Sequence, residues 1–250
     1  MSGDELTWMI LPGLATGIGG LFLLILAAPS ERTLDGLSGF TAGVMLAATS
    51  FSLLVPALDV GSISEVVIGL ALGGGALALL DDVLPHVHLR FAEKGHILGR
   101  TASEQTRASL LLSALTLHNI PEGMAVGVAF AAGGIELGLP IALAIGIQNI
   151  PEGFAAAAPL LKGSGGKRTA FRVAALTGMV EPPAALAAFA AFEFADAFLP
   201  LGLAFAGGAM LYVVVDELIP ESQAHGFERT ATLSLLVGFA LMLALDNAFG

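Results

Sequence analysis

A six-residue motif that occurs twice limits what this chain can fold into. Residues 118–123 read His-Asn-Ile-Pro-Glu-Gly, and residues 148–153 read Gln-Asn-Ile-Pro-Glu-Gly. Both copies lie near the middle of apolar stretches, which cover residues 108–131 and 139–161. Because about 20 apolar residues cross the hydrocarbon core of a bilayer, each stretch predicts a transmembrane helix. The motifs then place ionisable side chains near the centre of the membrane, where they are energetically costly.

Helical geometry places the polar residues of each motif on one face. Within each copy, an imidazole or amide side chain precedes the glutamate by four residues, and an asparagine precedes it by three. These residues are His118, Asn119 and Glu122 in the first copy, and Gln148, Asn149 and Glu152 in the second. Pro121 and Pro151 cannot donate a backbone hydrogen bond. Each helix is therefore predicted to kink and to leave a free carbonyl beside the polar cluster.

Two such helices facing each other bring one imidazole, two carboxylates and several amide oxygens to one place. This donor set suits a borderline divalent transition metal such as zinc, and the imidazole disfavours calcium. The alternative is a pair of proline-kinked packing helices whose polar groups satisfy one another. Two buried carboxylates are costly without a cation, which favours the metal site.

Composition agrees with a membrane protein before any motif is considered. Hydrophobic residues make up 56% of the 250 residues and charged residues 12%, about half the charged share of soluble domains. The chain has no cysteine, which excludes disulfides and thiolate ligands. Its 32 glycines suit close helix packing in lipid. The ATP-binding pattern Gly-x-x-x-x-Gly-Lys-[Ser/Thr] is absent, so transport driven by a metal gradient or by proton exchange is expected.

The apolar stretches predict an all-α polytopic membrane protein with eight transmembrane helices in one domain, residues 1–250. The predicted spans are residues 6–28, 34–58, 63–84, 108–131, 138–161, 169–192, 197–219 and 230–249. With the N-terminus outside, all ten Lys and Arg residues lie in inner loops or at the inner ends of spans. This asymmetry follows the positive-inside rule. It predicts that both termini are outside and that the histidine-containing loop 85–107 is cytoplasmic.

Met45 and Glu181 are predicted at the same membrane depth as the two motifs, in the second and sixth spans. Glu181 precedes Pro182 and Pro183, and a glutamate at the membrane centre beside a helix break indicates a functional site. Met45 either fills the core or offers its thioether to a metal, and the residues alone favour the core reading.

Further carboxylates mark the ends of the predicted spans. Those at the outer side are Asp59 and Asp246, and a solvated helix terminus is the simplest reading of Asp59. Others lie at inner helix C-termini, where the macrodipole disfavours negative charge and a passing cation would stabilise them. With two nearby histidines they predict an exit lane, for which a solvated polar loop is the alternative. The predicted exit residues are Asp81, His86, His88, Asp216 and Glu217.

The motif pair resembles the fourth and fifth transmembrane helices of the ZIP (Zrt-, Irt-like) metal transporters. The resemblance runs over nearly the whole chain, and the match is best to the bacterial and archaeal GufA-like branch. It implies a carrier in the cell membrane that moves zinc, cadmium, iron(II) or manganese toward the cytoplasm. The implied mechanism is elevator-like alternating access, in which one helix group moves against a static one.

The resemblance also implies the roles of individual residues, beginning with metal capture at an entrance by Asp59, with Asp246 at the same level. The first metal site would comprise His118, Glu122, Gln148 and Glu152, with Met45 at its edge. The second would comprise Asn119, Asn149 and Glu181, with Glu122 and Glu152 as bridges. The metal is substrate rather than cofactor, the implied partners are the lipid bilayer and a second copy in a homodimer, and no nucleic-acid partner is predicted.

Asn149 departs from ZIP members with a two-metal centre, which often have aspartate at this position. The three central carboxylates contribute a charge of −3, whereas two divalent ions bring +4. A doubly loaded centre would therefore be one charge positive in a medium of low dielectric constant. We predict a weak second site and transport of one ion at a time.

Two other functions compete with a carrier. An intramembrane metal-dependent hydrolase needs an open metal position and a general base, usually as His-Glu-x-x-His, and this motif is absent. A carboxylate-lined ion channel would show ohmic current, whereas a carrier would show saturable uptake.

Overall fold

The computed structural model describes residues 2–26, 28–83, 96–97, 100–101, 104–162, 166–192 and 196–249. Within these ranges, side chains are described except for residues 81–83, 96–115, 156, 159, 162, 196 and 249. The α-helices are α1 Gly3–Ile25, α2 Glu31–Ala47, α3 Val55–Val60, α4 Ile63–Val83, α5 Glu104–Ala157, α6 Gly166–Gly178, α7 Glu181–Phe192, α8 Leu199–Val213, α9 Ile219–Ser222 and α10 Glu228–Phe249.

Shorter elements connect or extend these helices. Two of them are π-helical, Ala48–Leu54 and Val214–Leu218, and two are 3₁₀-helical, Ala158–Lys162 and Asp196–Phe198. The strands of the described residues form a two-residue antiparallel pair, His96–Ile97 with Arg100–Thr101. The predicted helical membrane protein is therefore confirmed in its general architecture.

Seven helical stretches of the described chain are long and apolar enough to cross a membrane, one fewer than the predicted eight. The difference arises in α5, where Thr116–Ala155 counts as a single stretch of 40 residues. At 1.5 Å per residue this stretch is about 60 Å long, twice the thickness of the hydrocarbon core. The backbone of α5 is non-helical at Gly133 and Gly134, and Gly134 has a φ of 57°.

This break divides α5 into α5a, residues 104–132, and α5b, residues 135–157. Each part carries one copy of the motif. The positive φ at Gly134 explains why glycine occupies the break, since other residues rarely adopt this conformation. Pro121 and Pro151 lie inside α5a and α5b, where the helical assignment continues. The kinks expected at these two prolines remain predictions.

The two π-helical segments each lead directly into a proline. Val55 and Ile219 donate their backbone N–H to the residue five positions earlier, Ser50 and Val214, and the next residue is proline in both cases. A proline ring collides with the carbonyl four residues before it, and a wider π turn relieves this contact. Both segments were predicted as ordinary helix, because periodicity alone does not distinguish the two forms.

Glycines bring the helices into backbone contact within two separate groups. In the first group, here called the carrier group, α1 meets α5b at Gly19 and α6 at Gly13, and α5a meets α7 at Gly123 and Gly127. In the second, the support group, the close pairs are α2 with α10 and α4 with α8. The support-group glycines in these contacts are Gly39, Gly43, Gly69, Gly73, Gly208 and Gly238. Small residues permit such close approach in membranes, where packing stabilises helix association.

Two glycines of α4 allow this packing to be tested with matched substitutions. A Cβ at Gly73 would collide with the backbone carbonyl of Phe205 in α8, whereas nothing lies within 4 Å of a Cβ at Gly75. We expect Gly73→Ala to lower stability by about 1–3 kcal/mol through overpacking. Gly75→Ala should leave stability unchanged or slightly raised. Thermal unfolding in detergent measures both, and an equal effect of the two substitutions would contradict the packing described here.

Candidate metal centre

The predicted metal residues are all buried in the interior, on α5a, α5b, α7 and α2. The eight side chains are each at most 7% exposed. They are Met45, His118, Asn119, Glu122, Gln148, Asn149, Glu152 and Glu181. Glu181 is the first residue of α7 and follows a turn at residues 179–180. The predicted helix break is therefore present, and the N-terminal end of α7 favours a carboxylate.

On one side of the centre, the two motif copies contact each other directly. The Gln148 Nε2 atom on α5b donates a hydrogen bond of 2.9 Å to Glu122 Oε1 on α5a. Glu152 lies close enough to Glu122 for their carboxylates to repel each other. Two carboxylates this close are stable either with a proton shared between them or, when both are ionised, with a compensating positive charge.

On the other side, three donors converge on one oxygen of Glu181. Its Oε1 accepts hydrogen bonds from Asn149 Nδ2 at 2.7 Å, Thr16 Oγ1 at 3.1 Å and Asn119 Nδ2 at 3.3 Å. The Asn149 amide also donates to the carbonyl of Pro12 at 2.9 Å. Sequence reasoning missed both α1 groups, although Thr16 is a polar residue within an apolar, glycine-rich span.

Seven oxygens of this cluster are buried and receive no hydrogen bond from any residue that the structure describes. They are Asn119 Oδ1, Glu122 Oε2, Gln148 Oε1, Asn149 Oδ1, both oxygens of Glu152 and Glu181 Oε2. Buried polar atoms are normally paired. A concentration of unpaired acceptors in one place fits a cation, which binds to oxygen lone pairs directly.

Carboxylates and imidazole alone do not complete a site. Among the described side chains, no three His, Cys, Asp or Glu residues converge closely enough to hold a metal ion. His118 Nε2 instead forms an ion pair with Glu217 Oε2, on the π-helical segment Val214–Leu218. Glu217 was predicted in the exit lane, apart from the centre, and its contact with His118 was not expected.

The remaining entrance and exit residues lie in different surroundings. Asp59 and Asp216 are exposed, and Asp246 accepts a hydrogen bond of 2.6 Å from Ser52 Oγ. Asp81 lies on α4, but its side chain is outside the described set, and His86 and His88 lie outside the described residues. The entrance and the exit lane remain predictions.

Comparison with known proteins identifies the family. The profile of the ZIP zinc transporter family matches residues 85–246. The chain belongs to the ZIP family. Zinc transporter GufA of Myxococcus xanthus is 45% identical over 258 residues, which cover 99% of this chain and 100% of that protein. Zinc transporter ZIPB of Bordetella bronchiseptica is 44% identical over 253 residues, covering 94% of this chain and 78% of that protein.

The similarity extends to eukaryotic ZIP proteins. Zinc transporter ZIP11 of Homo sapiens is 31% identical over 334 residues, covering 99% of this chain and 96% of that protein. The expected GufA-like branch of the ZIP family is therefore confirmed. Because ZIP proteins are transporters rather than enzymes, the hydrolase alternative is not favoured.

Proposed function

We propose that this protein carries zinc, and with it cadmium, iron(II) and manganese, across the cell membrane toward the cytoplasm. The observation that carries the proposal is the set of seven buried oxygens without a donor among the described residues. Carboxylates that stay ionised side by side in an apolar interior need a compensating cation, and a divalent ion can displace the protons that they otherwise hold. The names of the relatives, which are zinc transporters, support zinc as the substrate.

The ligands in this proposal come from both motif copies. His118, Glu122, Gln148 and Glu152 hold the transported ion, with the Met45 thioether at the edge of the site. When the ion binds, His118 leaves Glu217 and becomes a metal ligand. Glu217 is then the first carboxylate that can receive the ion on the exit side. The second side, formed by Asn119, Asn149 and Glu181, binds a second ion only weakly.

The topology in this proposal has eight crossings and both termini outside, within one transmembrane domain of residues 1–250. The break at Gly133–Gly134 supports counting α5a and α5b as two crossings. The protein in this proposal lies in the cytoplasmic membrane. The loop 85–107 is on the cytoplasmic side of that membrane. The homodimer that the family resemblance implies remains a prediction.

Alternating access in this proposal is a movement of the carrier group against the support group. Within the described residues, every glycine that closely approaches a backbone carbonyl of another helix does so inside one group. All proposed ligands except Met45 belong to the carrier group, as do Pro12 and Thr16. The bound ion and its hydrogen-bonded surroundings can therefore move as one unit.

Zinc-65 uptake into proteoliposomes tests this function. We expect saturable uptake that cadmium inhibits, with none in protein-free vesicles, because a carrier has a finite number of sites. Zinc preloaded inside the vesicles should accelerate entry of external zinc-65, since exchange is characteristic of a carrier. Ohmic zinc current without saturation would favour a channel, and an absence of uptake would contradict the proposed function.

A further inference from the structure

We propose that α1 forms part of the metal centre and that Thr16 is a positioning residue, assisted by the carbonyl of Pro12. This inference rests on the proposed function, since it assumes that the centre binds a divalent ion. Neither α1 group needs to touch the ion. Their effect is to determine which oxygens of Asn149 and Glu181 are presented to it.

Asn149 shows how the Pro12 carbonyl acts. An amide NH₂ group has two hydrogens, and Asn149 Nδ2 donates to Pro12 O at 2.9 Å and to Glu181 Oε1 at 2.7 Å. Both hydrogens are therefore used, and rotation of the amide would bring its oxygen against two other oxygens. Asn149 Oδ1, which is buried without a donor among the described residues, is held as the atom available to a cation.

Glu181 shows how Thr16 acts. Three donors occupy Oε1, whereas Oε2 is buried and accepts no hydrogen bond from the described part of the chain. Thr16 is the donor that comes from α1, while the other two come from the motif asparagines on α5. The carboxylate is thus held from two directions, and Oε2 is the oxygen left to meet an ion. A hydrogen bond to an ionised carboxylate is stronger than a hydrogen bond between two neutral groups.

The backbone around Thr16 gives this contact little freedom. Gly153 of α5b packs directly against the carbonyl of Thr16, and Gly19 of α1 packs against the carbonyl of Ile150. Gly13 of α1 meets the carbonyl of Gly178, three residues before Glu181. The hydroxyl is therefore fixed relative to both α5b and the start of α7, as a positioning residue requires.

Substitution of Thr16 separates positioning from packing. Thr16→Val keeps the branched shape and removes the hydroxyl, and we expect zinc affinity at the weak second site to fall about tenfold to a hundredfold, as for loss of a hydrogen bond to a charged group. Thr16→Ser keeps the hydroxyl and should stay within about threefold of the native affinity. Thr16→Ala also removes the hydroxyl, should show the same loss of affinity, and replaces Thr16→Val as the test if the valine variant does not fold.

Thr177→Val is the matched control. Thr177 is also fully buried in the carrier group, but its hydroxyl donates to Ala174 O in its own helix, α6. This variant should bind zinc as the native protein does. Equilibrium zinc binding to purified protein is the first readout, and the KM and maximal rate of zinc-65 uptake are the second. Because the transported ion is held at the first site, Thr16→Val should leave the KM and the maximal rate of uptake close to the native values.

The outcomes distinguish this inference from the proposed function. Native affinity in Thr16→Val, or equal losses in Thr16→Val and Thr16→Ser, would contradict the positioning role while zinc uptake by the native protein still supports the function. A native protein that binds zinc with the expected Thr16 dependence but transports none would contradict the proposed function alone.

Discussion

Glu122→Gln is expected to abolish zinc uptake while leaving the protein folded. Glu122 is 0% exposed and lies close enough to both Glu152 and Glu181 for negative charges on them to repel its own. Glutamine has nearly the same shape, and its carbonyl oxygen can still accept the hydrogen bond that Gln148 donates. The substitution therefore relieves repulsion in the metal-free protein and removes one charge that the ion needs.

Loss of one partner from a buried charge interaction costs about 2–5 kcal/mol, so zinc affinity should fall at least about thirtyfold. Zinc-65 uptake by proteoliposomes and thermal unfolding of the same preparation are measured together. Uptake should be lost with an unchanged or higher melting temperature. The control is Glu228→Gln, at the exposed start of α10, which should transport normally. If Glu122→Gln kept more than half of the native uptake, the centre would not lie on the transport path.

Asn149→Asp is expected to convert the centre from one bound zinc to two. With aspartate, four carboxylates would balance the charge of two divalent ions, whereas the native three leave one positive charge in excess. His118 binds a metal as a neutral imidazole, and Glu217, which pairs with it in the metal-free protein, is counted outside the centre. In the metal-free state, Asn149→Asp should lower the stability of the protein because it removes two hydrogen bonds. Aspartate cannot donate to Pro12 O or Glu181 Oε1, which Asn149 contacts at 2.9 Å and 2.7 Å.

Metal analysis of purified protein by mass spectrometry gives the number of zinc ions per chain. We expect one for the native protein and two for Asn149→Asp, with a larger rise in melting temperature on zinc addition in the variant. Asn149→Ala is the matched control, because it removes the same two hydrogen bonds without adding a charge. It should be less stable and bind no second ion. Two zinc ions in the native protein would contradict the charge argument.

The grouping of the motif residues on one helix face could be predicted from the sequence, because it depends only on the spacing of residues within one helix. Residues four apart in a helix share a face whatever the rest of the fold does, so His118 with Glu122 and Gln148 with Glu152 follow from spacing. Apolar length likewise marks the spans. Their boundaries were less accurate: α1 begins at Gly3 because Ser2 and Glu5 form a capping box, a signal that the sequence contained.

Features that depend on distant partners could not be anticipated. Asp35, near the start of α2, is 1% exposed, and its carboxylate interacts with His225 Nδ1 at 2.6 Å and with the Phe227 N–H at 3.2 Å. These partners lie about 190 residues along the chain. The contacts of Thr16 with Glu181 and of His118 with Glu217 are of the same kind. No periodicity within one helix specifies which polar residue of another helix will face it.

Anomalous diffraction at the zinc edge, from crystals of the native protein grown with zinc, tests the central claim most directly. We predict one strong peak in the interior, within bonding distance of Glu122 and Glu152 oxygens and of His118, with Glu217 released from the imidazole. Two fully occupied peaks bridged by Glu122 and Glu152 would contradict the single-ion account. Zinc found only at surface carboxylates, with the His118–Glu217 pair intact, would contradict the metal centre itself.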